Sequence, residues 1–344
     1  MLLQRTQVNV ALLGFGNVGR AFASYIKASE ALPIRINITA VADSSGGLLV
    51  NQDSTIERAI AHKEAGRPLS EFAQRASILD IDEFVRALPS AGISVLVESL
   101  PTNIINGEPA LGLLTATLAQ GTNVVTVDKG PLVHGLASLR AAEVRGATRL
   151  GFSGTTGVSI PDELATDRVL EIRGVLNGTT NYILSEMQQH QRSFDQALAT
   201  AQTEGVAEPD PSLDVEGWDT ASKVLILANL LMAANAQLTE VSRTGIGLQT
   251  ESLIGIARES GRVVRLVGRA RIWQGRVRVS VAPKLVRPDS PFYSVSGTSK
   301  AAVFRAERQG EVLVLGRSGR DAISQTIVDD IARIALSTLT RQRR

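Results

Sequence analysis

Residues 8–26 read VNVALLGFGNVGRAFASYI, and this stretch decides the fold of the first part of the chain. Val8 to Leu13 is typical of a buried strand, three glycines follow at G-x-G-x-x-G spacing, and a helix is predicted to about Lys27. The first glycine permits a tight turn, the second lets a pyrophosphate approach the backbone, and the third lets helix and strand pack closely. Because helix N-terminal amides bind phosphate, this context predicts a dinucleotide site rather than a chance glycine turn. The predicted loop comprises Gly14, Phe15, Gly16, Asn17, Val18 and Gly19.

An acidic residue ends the second predicted strand, Ile34 to Ala42. Asp43 stands where a carboxylate can bind the ribose of an adenosine. Two serines follow it without an adjacent arginine for a 2′-phosphate, which favours NAD over NADP. Asp43 could instead be a simple turn or capping residue. Arg58 and Lys63 lie on the next helical stretch and could fold back.

Two further strands, Ile93–Glu98 and Asn123–Val127, alternate with helices and predict a doubly wound parallel sheet. Ligands of such sheets gather at the carboxyl ends of the strands. Ser99 and Lys129 follow these two strands, so we expect both to border the cofactor. A solvated turn is the alternative for Lys129.

A second distinctive stretch, Glu208 to Leu227, reads EPDPSLDVEGWDTASKVLIL. Two prolines keep its acidic first part out of a helix, whereas the residues after Gly217 form an apolar pattern typical of a buried helix. Asp219 and Lys223 are four residues apart and share a helix face. They could be an ordinary surface pair. The acids upstream indicate instead a polar pocket with a cation at its floor, a kind of cluster that marks candidate functional sites. These acids are Glu208, Asp210, Asp214 and Glu216.

Two loops rich in small residues precede helices in the middle of the chain: FSGTTGVSIP at 152–161 and NGTTNY at 177–182. Their backbone N–H groups and hydroxyls suit carboxylate or carbonyl oxygens, although helix capping would give the same pattern. Two long strands are predicted at 262–272 and 276–286, and the polar face of the second could pair across a dimer.

The composition excludes several classes of protein. With 44% hydrophobic and 20% charged residues it is typical of a soluble globular chain, and 344 residues suffice for two domains. A net charge of +2 gives no indication of nucleic acid binding. The absence of cysteine excludes disulfides and is typical of the cytoplasm. We expect no signal sequence and no membrane-spanning run, and the three histidines show no metal-ligand spacing.

Five motifs distributed along the chain occur together in one enzyme family. They are GFGNVG at 14–19, PTNIINGEPA at 101–110, VVTVDKGPL at 124–132, GVLNGTTNYIL at 174–184 and AEPDPSLDVEGWDTASK at 207–223. With them the chain resembles the homoserine dehydrogenases nearly from end to end, and the last two motifs are specific to that family. The resemblance implies reduction of L-aspartate 4-semialdehyde to L-homoserine with NADH or NADPH, a step of threonine, methionine and isoleucine biosynthesis. It also implies a homodimer.

The resemblance assigns roles to residues at matching positions. It implies that Lys223 donates the proton, that Asp219 supports it and that Lys129 assists near the nicotinamide. Physical chemistry agrees with the first role, because a carbonyl that receives hydride gains negative charge that a lysine can stabilise and protonate. The hydride chemistry itself belongs to the cofactor.

The resemblance also implies how the substrate is held. Glu208 and Asp214 would bind its ammonium group, which requires acidic partners, and Thr179 would contact it as well. Val206 stands where the family commonly has an aromatic residue, and Asp128 where it often has Asn. Two alternatives therefore stay open: a related two-domain reductase of another amino-acid aldehyde or keto acid, and an NAD(P) sensor without catalysis.

Members of the family often bind a structural monovalent cation such as sodium through backbone carbonyls. The matching loop, residues 153–160, would supply Thr156, Val158 and Ile160. Ser153 replaces the glutamate that usually opens this loop, and the replacement puts the site in question.

The expected architecture is thus an α/β chain with a Rossmann-type doubly wound parallel sheet and a second α/β domain for catalysis and dimerisation. We predict the NAD(P)-binding domain over residues 1–147, the catalytic domain over 148–300, and a C-terminal segment, 301–344, that returns to the nucleotide-binding domain. We expect no fused kinase or amino-acid-sensing domain, and hence no feedback inhibition through one.

Overall fold

The computed structural model describes residues 6–29, 32–50, 53–72, 78–316 and 319–342. Its strands, in chain order, are β1 Gln7–Leu13, β2 Arg35–Asp43, β3 Gly46–Leu49, β4 Val95–Glu98, β5 Asn123–Thr126, β6 Leu150–Gly151, β7 Val169–Val175, β8 Ser242–Arg243, β9 Val263–Trp273, β10 Arg276–Val286, β11 Lys300–Ala306 and β12 Gly310–Gly316. Its α-helices are α1 Asn17–Ala28, α2 Asp53–Glu64, α3 Ile81–Ala87, α4 Ala110–Ala119, α5 Gly130–Gly146, α6 Ser153–Thr156, α7 Gly178–Gln189, α8 Phe194–Thr203, α9 Ser212–Val215, α10 Trp218–Leu231, α11 Gln249–Glu259 and α12 Arg320–Gln342.

The chain divides into two units, one made of Met1–Thr155 with Gly319–Arg344 and the other of Thr156–Ser318. The sheet of the first unit has the order β3-β2-β1-β4-β5-β6. Strands β2, β1, β4, β5 and β6 are parallel to their neighbours, which confirms the predicted doubly wound sheet. The edge strand β3 was not predicted, and it pairs antiparallel with β2. The strand order reverses direction between β1 and β4, the point at which such sheets bind ligands.

The second unit is built on another sheet, with the order β12-β11-β7-β9-β10-β8. Apart from the short β8, its strands pair antiparallel. The apolar helix α10 packs on β7, β9 and β10. A Cβ on Gly268 would lie only 3.0 Å from Thr220 and 3.2 Å from Val224, so a glycine in β9 permits this close packing. The buried helix predicted after Gly217 is therefore the centre of the second unit.

The predicted domain limits need correction at both ends of the second unit. Strand β6 extends the first sheet, so the first unit continues to Thr155 and not only to residue 147. Strands β11 and β12, predicted to return to the nucleotide-binding domain, pair with β7 in the second sheet. Of the C-terminal segment, α12 packs on α1 of the first unit, with Ile327 and Val328 in the core.

None of the helices within the described residues combines the length and the apolar character needed to cross a membrane.

Candidate active site

The glycine loop of the first unit forms a tight junction between β1 and α1. Gly14 has φ +100°, and a Cβ on it would lie 2.6 Å from the carbonyl oxygen of Ser99. A Cβ on Gly19 would lie 2.2 Å from the carbonyl oxygen of Gly14. At Gly16, by contrast, no atom of the described chain lies within 4 Å of the added Cβ. The loop is thus closed at its first and third glycines and open at the second, as pyrophosphate binding requires.

The other residues of the glycine loop differ in how far their side chains are exposed to solvent. Phe15 is fully buried, and its N–H donates to the Ala42 carbonyl at 2.9 Å, so its side chain belongs to the core. Asn17 is exposed and Val18 half-buried in the first turn of α1. No side chain among the described residues caps this helix, so its first amides face the open side of the loop.

Ser99 reinforces this loop. Its hydroxyl donates to the Gly14 carbonyl at 2.8 Å and its N–H donates to Leu13 at 2.8 Å. Ser99 therefore lies beside the glycine loop, and its expected role at the cofactor stays a prediction.

The Asp43 carboxylate is occupied by partners within the chain. Its Oδ1 accepts the N–H and the hydroxyl of Ser45 at 2.8 and 2.5 Å, and its Oδ2 accepts Lys63 Nζ at 2.6 Å and the Leu69 N–H at 3.1 Å. Burial opposes these hydrogen bonds, but their sum lowers the pKa of Asp43. Four donors fill the usual acceptor capacity of a carboxylate. Asp43 therefore organises the end of β2, and Lys63 does fold back towards it.

Two buried acids lie at the carboxyl ends of β4 and β5. Burial, followed by the charge of Asp128, raises the pKa of Glu98 to about 8, although Thr126 and Leu100 donate hydrogen bonds to it. Burial also raises the pKa of Asp128, whose Oδ1 accepts the Gly130 N–H at 2.9 Å. Burial thus favours the protonated form of both acids, and of Glu98 most strongly. Lys129 follows directly, as the residue before α5.

In the second unit, Asp219 and Lys223 form a buried ion pair on α10. Lys223 is 7% exposed, and its Nζ donates to Asp219 Oδ2 at 2.6 Å and to the Leu176 carbonyl at 2.9 Å. The shared helix face predicted from the sequence is confirmed. Because both partners are nearly desolvated, their interaction is much stronger than that of a surface pair.

Asn177 joins this pair to a second carboxylate, and sequence reasoning had not singled it out as a site residue. Its Nδ2 donates to Asp214 Oδ1 at 2.5 Å and to Asp219 Oδ2 at 2.8 Å, while its Oδ1 accepts the Thr180 N–H at 2.7 Å as the cap of α7. One amide thus fixes the start of α7 and both acids. Its place in the NGTTNY loop was visible in the sequence, but its partners lie on distant segments.

Asp214, which is half-buried, is the second acid of this cluster. Burial and then the charge of Asp219 raise its pKa, against a hydrogen bond from Asn177 and the charge of Lys223. The Thr179 hydroxyl, which borders Asp214, donates to the Val206 carbonyl at 3.1 Å. Thr179, Asp214, Asp219 and Lys223 are therefore brought together, with Asn177 at their centre. Glu208 is exposed in the loop before α9.

Partners within the chain already contact the loop assigned to a monovalent cation. The Ser153 N–H and hydroxyl both donate to Asp330, at 2.8 and 2.6 Å. The Val158 carbonyl accepts the Thr156 hydroxyl at 2.7 Å. A Cβ on Gly157 would lie 3.4 Å from Lys300 Nζ, so an ammonium already stands against this loop. Two unit charges 4 Å apart repel by about 4 kcal/mol at an effective dielectric of about 20.

Ile160, the third carbonyl ligand implied by the resemblance, is half-buried at the end of the same loop. Nor does the described part of the chain contain a group of three or more His, Asp or Glu side chains that could hold a metal ion.

Comparison with known proteins relates both units to one family. Residues 14–152 match the family model described as homoserine dehydrogenase, NAD binding domain, and residues 159–332 match the model of homoserine dehydrogenase itself. The homoserine dehydrogenase of Methanocaldococcus jannaschii is 31% identical, over 96% of this chain and 99% of that protein. An NAD(+)-dependent homoserine dehydrogenase of Pseudomonas canavaninivorans is also 31% identical, over 98% of this chain and 99% of its own.

Solved structures give the same relation. A hyperthermophilic archaeal homoserine dehydrogenase in complex with NADPH superposes with a TM-score of 0.76 at 27% identity, covering 96% of this chain and 98% of that one. The S. aureus enzyme at pH 8.5 gives 0.73 at 27% identity, covering 96% and 77%.

The fold, the open glycine loop and these relatives define an NAD(P)-dependent oxidoreductase that acts on a CH–OH group. Two family models together cover most of the chain, and relatives match it over nearly their whole length. The chain belongs to the homoserine dehydrogenase family.

Proposed function

We propose that this enzyme interconverts L-aspartate 4-semialdehyde and L-homoserine, with hydride from NADH or NADPH and the proton from Lys223. The observation that carries the proposal is the buried cluster of the second unit, in which Asn177 holds Asp214 and Asp219 beside Lys223. Such a cluster supplies both a proton donor and a binding site for a cation. The homoserine formed would enter threonine, methionine and isoleucine biosynthesis.

The charge of the cluster supports an amino-acid substrate. Asp214 and Asp219 carry two negative charges when ionised, and Lys223 balances only one of them. The remaining negative charge is incompletely solvated because Asp214 is half-buried, and this burial raises its pKa. A substrate ammonium would satisfy it, as buried charges require partners. We assign this ammonium to Asp214, with Thr179 beside it and the exposed Glu208 as a second acid.

The surroundings of Lys223 support its role as general acid. Its ammonium is held by one carboxylate and one carbonyl, at 2.6 and 2.9 Å. An ammonium has three N–H donors, so the third can reach a substrate oxygen. As hydride arrives from the cofactor, negative charge grows on that oxygen, and a fixed ammonium stabilises it before giving up its proton. In this account Asp219 keeps Lys223 charged and oriented, and Lys129 assists near the nicotinamide.

The end of β2 supports a preference for NAD. The 2′-phosphate of NADP would be repelled by the negative charge of the buried Asp43 carboxylate. Lys63, a cation that could otherwise bind that phosphate, is already paired with Asp43 at 2.6 Å. Among the relatives, one is named NAD(+)-dependent and another was solved with NADPH, so both cofactors occur in the family. We expect a lower KM for NADH than for NADPH, measured with the aldehyde in excess.

The proposal also covers the oligomeric state and the cellular location of the enzyme. We expect a homodimer, supported by the large exposed apolar side chains of Leu313 and Leu315 on β12, which are 49% and 71% exposed. Sedimentation would then give twice the chain mass of 36.6 kDa. We place the enzyme in the cytoplasm, where its cofactor and a cysteine-free chain both fit.

Gly16→Val is expected to weaken NADH binding about tenfold or more while the protein stays folded. The added side chain would fill the space through which a pyrophosphate approaches the loop. No described atom is near enough to clash with its Cβ. Fluorescence titration gives the Kd, and thermal melting checks the fold. Gly255→Val in α11, another glycine whose Cβ would meet no described atom, is the matched control. Unchanged NADH affinity in Gly16→Val would place the cofactor elsewhere.

The KM for L-homoserine is expected to rise as pH falls, and to do so at higher pH than an ordinary aspartate would cause. Only ionised Asp214 attracts an ammonium, and burial raises its pKa above the usual value. Asp214 is therefore charged above its raised pKa and neutral below it, so affinity is lost on acidification. Initial rates across a pH series measure this effect. Asp214→Asn should have a high KM that no longer changes over the same range; a KM in the parent enzyme that stays constant on acidification contradicts the role.

The substrate proposal is tested by comparing L-homoserine with 4-hydroxybutanoate, which has the same alcohol and lacks the ammonium. We expect turnover of L-homoserine with NAD or NADP and at least about a hundredfold lower kcat/KM for the analogue, because a buried unpaired carboxylate costs roughly 3 kcal/mol or more. Similar rates with both would refute an ammonium site. Cofactor binding without turnover of any amino-acid alcohol would favour a sensor instead, although the buried Lys223–Asp219 pair speaks against that.

A further inference from the structure

A lysine that the sequence did not single out lies against the loop where the family places its cation. Lys300 begins β11, opposite Gly316 of β12. A Cβ built on Gly157 would lie 3.1 Å from Lys300 Cδ and 3.4 Å from Lys300 Nζ. The lysine side chain therefore runs directly over Gly157, and its ammonium stands beside the loop.

The backbone of the loop is suited to glycine at this position. Gly157 has φ +73°, a conformation that favours glycine, and a side chain there would press against the end of the Lys300 side chain. A Cβ on Gly316 would lie 2.1 Å from the Gly157 carbonyl oxygen. Gly157 and Gly316 thus allow direct contact between the β11–β12 hairpin and the loop. This contact places the Lys300 ammonium beside the loop.

The same place borders the proposed proton donor. The Leu176 carbonyl oxygen lies 3.6 Å from the Cβ position of Gly157, and this carbonyl accepts Lys223 Nζ at 2.9 Å. The loop therefore neighbours the Leu176 carbonyl, and that carbonyl in turn binds Lys223. The loop that Lys300 contacts thus adjoins the acceptor that orients Lys223.

We propose that the Lys300 ammonium takes the place of a monovalent cation in this enzyme. It supplies the same single positive charge, and its N–H groups suit carbonyl oxygens. Because it is part of the chain, its presence does not depend on the salt in solution. Lys300 is a positioning residue: it acts through the loop and the Leu176 carbonyl. Only the turnover part of the test below rests on the proposed function.

The test compares thermal melting and turnover in sodium, potassium and choline chloride at equal ionic strength. The parent enzyme is expected to give the same melting temperature and rate in all three salts. In choline, Lys300→Met is expected to melt lower and to turn over about tenfold or more slowly, because a small displacement of a catalytic group is costly. Sodium or potassium should restore both properties by entering the vacated position. Lys284→Met, which removes an exposed lysine of β10, should behave as the parent does.

Two results would overturn the proposal. One is a parent enzyme whose melting temperature or rate rises when choline is replaced by sodium or potassium, since a cation would then bind alongside the lysine. The other is a Lys300→Met variant that responds equally to all three salts, including one that fails to fold in each of them. Melting needs no substrate, so a failure of the proposed reaction would leave this half of the test intact.

Discussion

Lys223→Met is expected to lower kcat for aldehyde reduction by about a hundredfold or more, the usual contribution of a general acid. The substitution removes the ammonium that would face the substrate oxygen and keeps most of the apolar volume on α10. NADH binding should be unchanged, because the glycine loop belongs to the first unit. Steady-state rates and a separate NADH titration measure the two effects.

Two variants make this prediction specific. Lys223→Arg keeps the charge but is too weak an acid to release a proton, so its kcat should also be low. Lys284→Met removes an exposed lysine from the same unit and should match the parent. If Lys223→Met retained a kcat near that of the parent, the proton would come from another group and the assignment would be wrong.

Asp219→Asn is expected to destabilise the enzyme by about 3 kcal/mol or more, because breaking one side of a buried ion pair leaves a desolvated charge behind. Lys223 would keep the Leu176 carbonyl but exchange its charged carboxylate partner for a neutral amide. Denaturant unfolding measures the loss, and kcat should fall as well since the lysine is no longer held.

The double variant Asp219→Asn with Lys223→Met separates stability from catalysis. With both charges gone, most of the lost free energy of unfolding should return, since replacing a whole buried pair is often nearly neutral. Activity should stay at the level of Lys223→Met. Additive losses of stability in the double variant would mean that the two side chains do not depend on each other.

Local rules were sufficient for the features that depend on adjacent residues. The spacing of Gly14, Gly16 and Gly19 predicted the turn and the helix start, and the i,i+4 spacing predicted that Asp219 and Lys223 would meet. Each of these depends on backbone geometry within a few residues, so the sequence alone contains the information.

Features that join distant segments were not predictable in this way. Asn177 reads as an ordinary helix cap, and only the packing of α7 beside α9 and α10 places its other end between two acids. Lys300 reads as the first residue of a strand, and the loop it touches lies over a hundred residues earlier. The alternation in β11 and β12 predicts strands but not the sheet they join, which is why they were assigned to the wrong unit.

Glu208 shows a different limit. The acidic motif placed it with Asp214, yet it is exposed in the loop before α9, while Asp214 is bound by Asn177. A family motif transfers residue identities, but not the burial that decides how strongly each acid acts. Its role in holding the substrate therefore stays a prediction.

The most direct measurement follows the absorbance of the reduced nicotinamide while the purified enzyme reduces L-aspartate 4-semialdehyde, with NADH and NADPH in separate reactions. We predict oxidation of the cofactor, L-homoserine as the product, and a higher kcat/KM with NADH. Loss of this activity in Lys223→Met, with NADH still bound, would tie the reaction to the buried cluster. Cofactor binding without any turnover of this aldehyde would contradict the central claim.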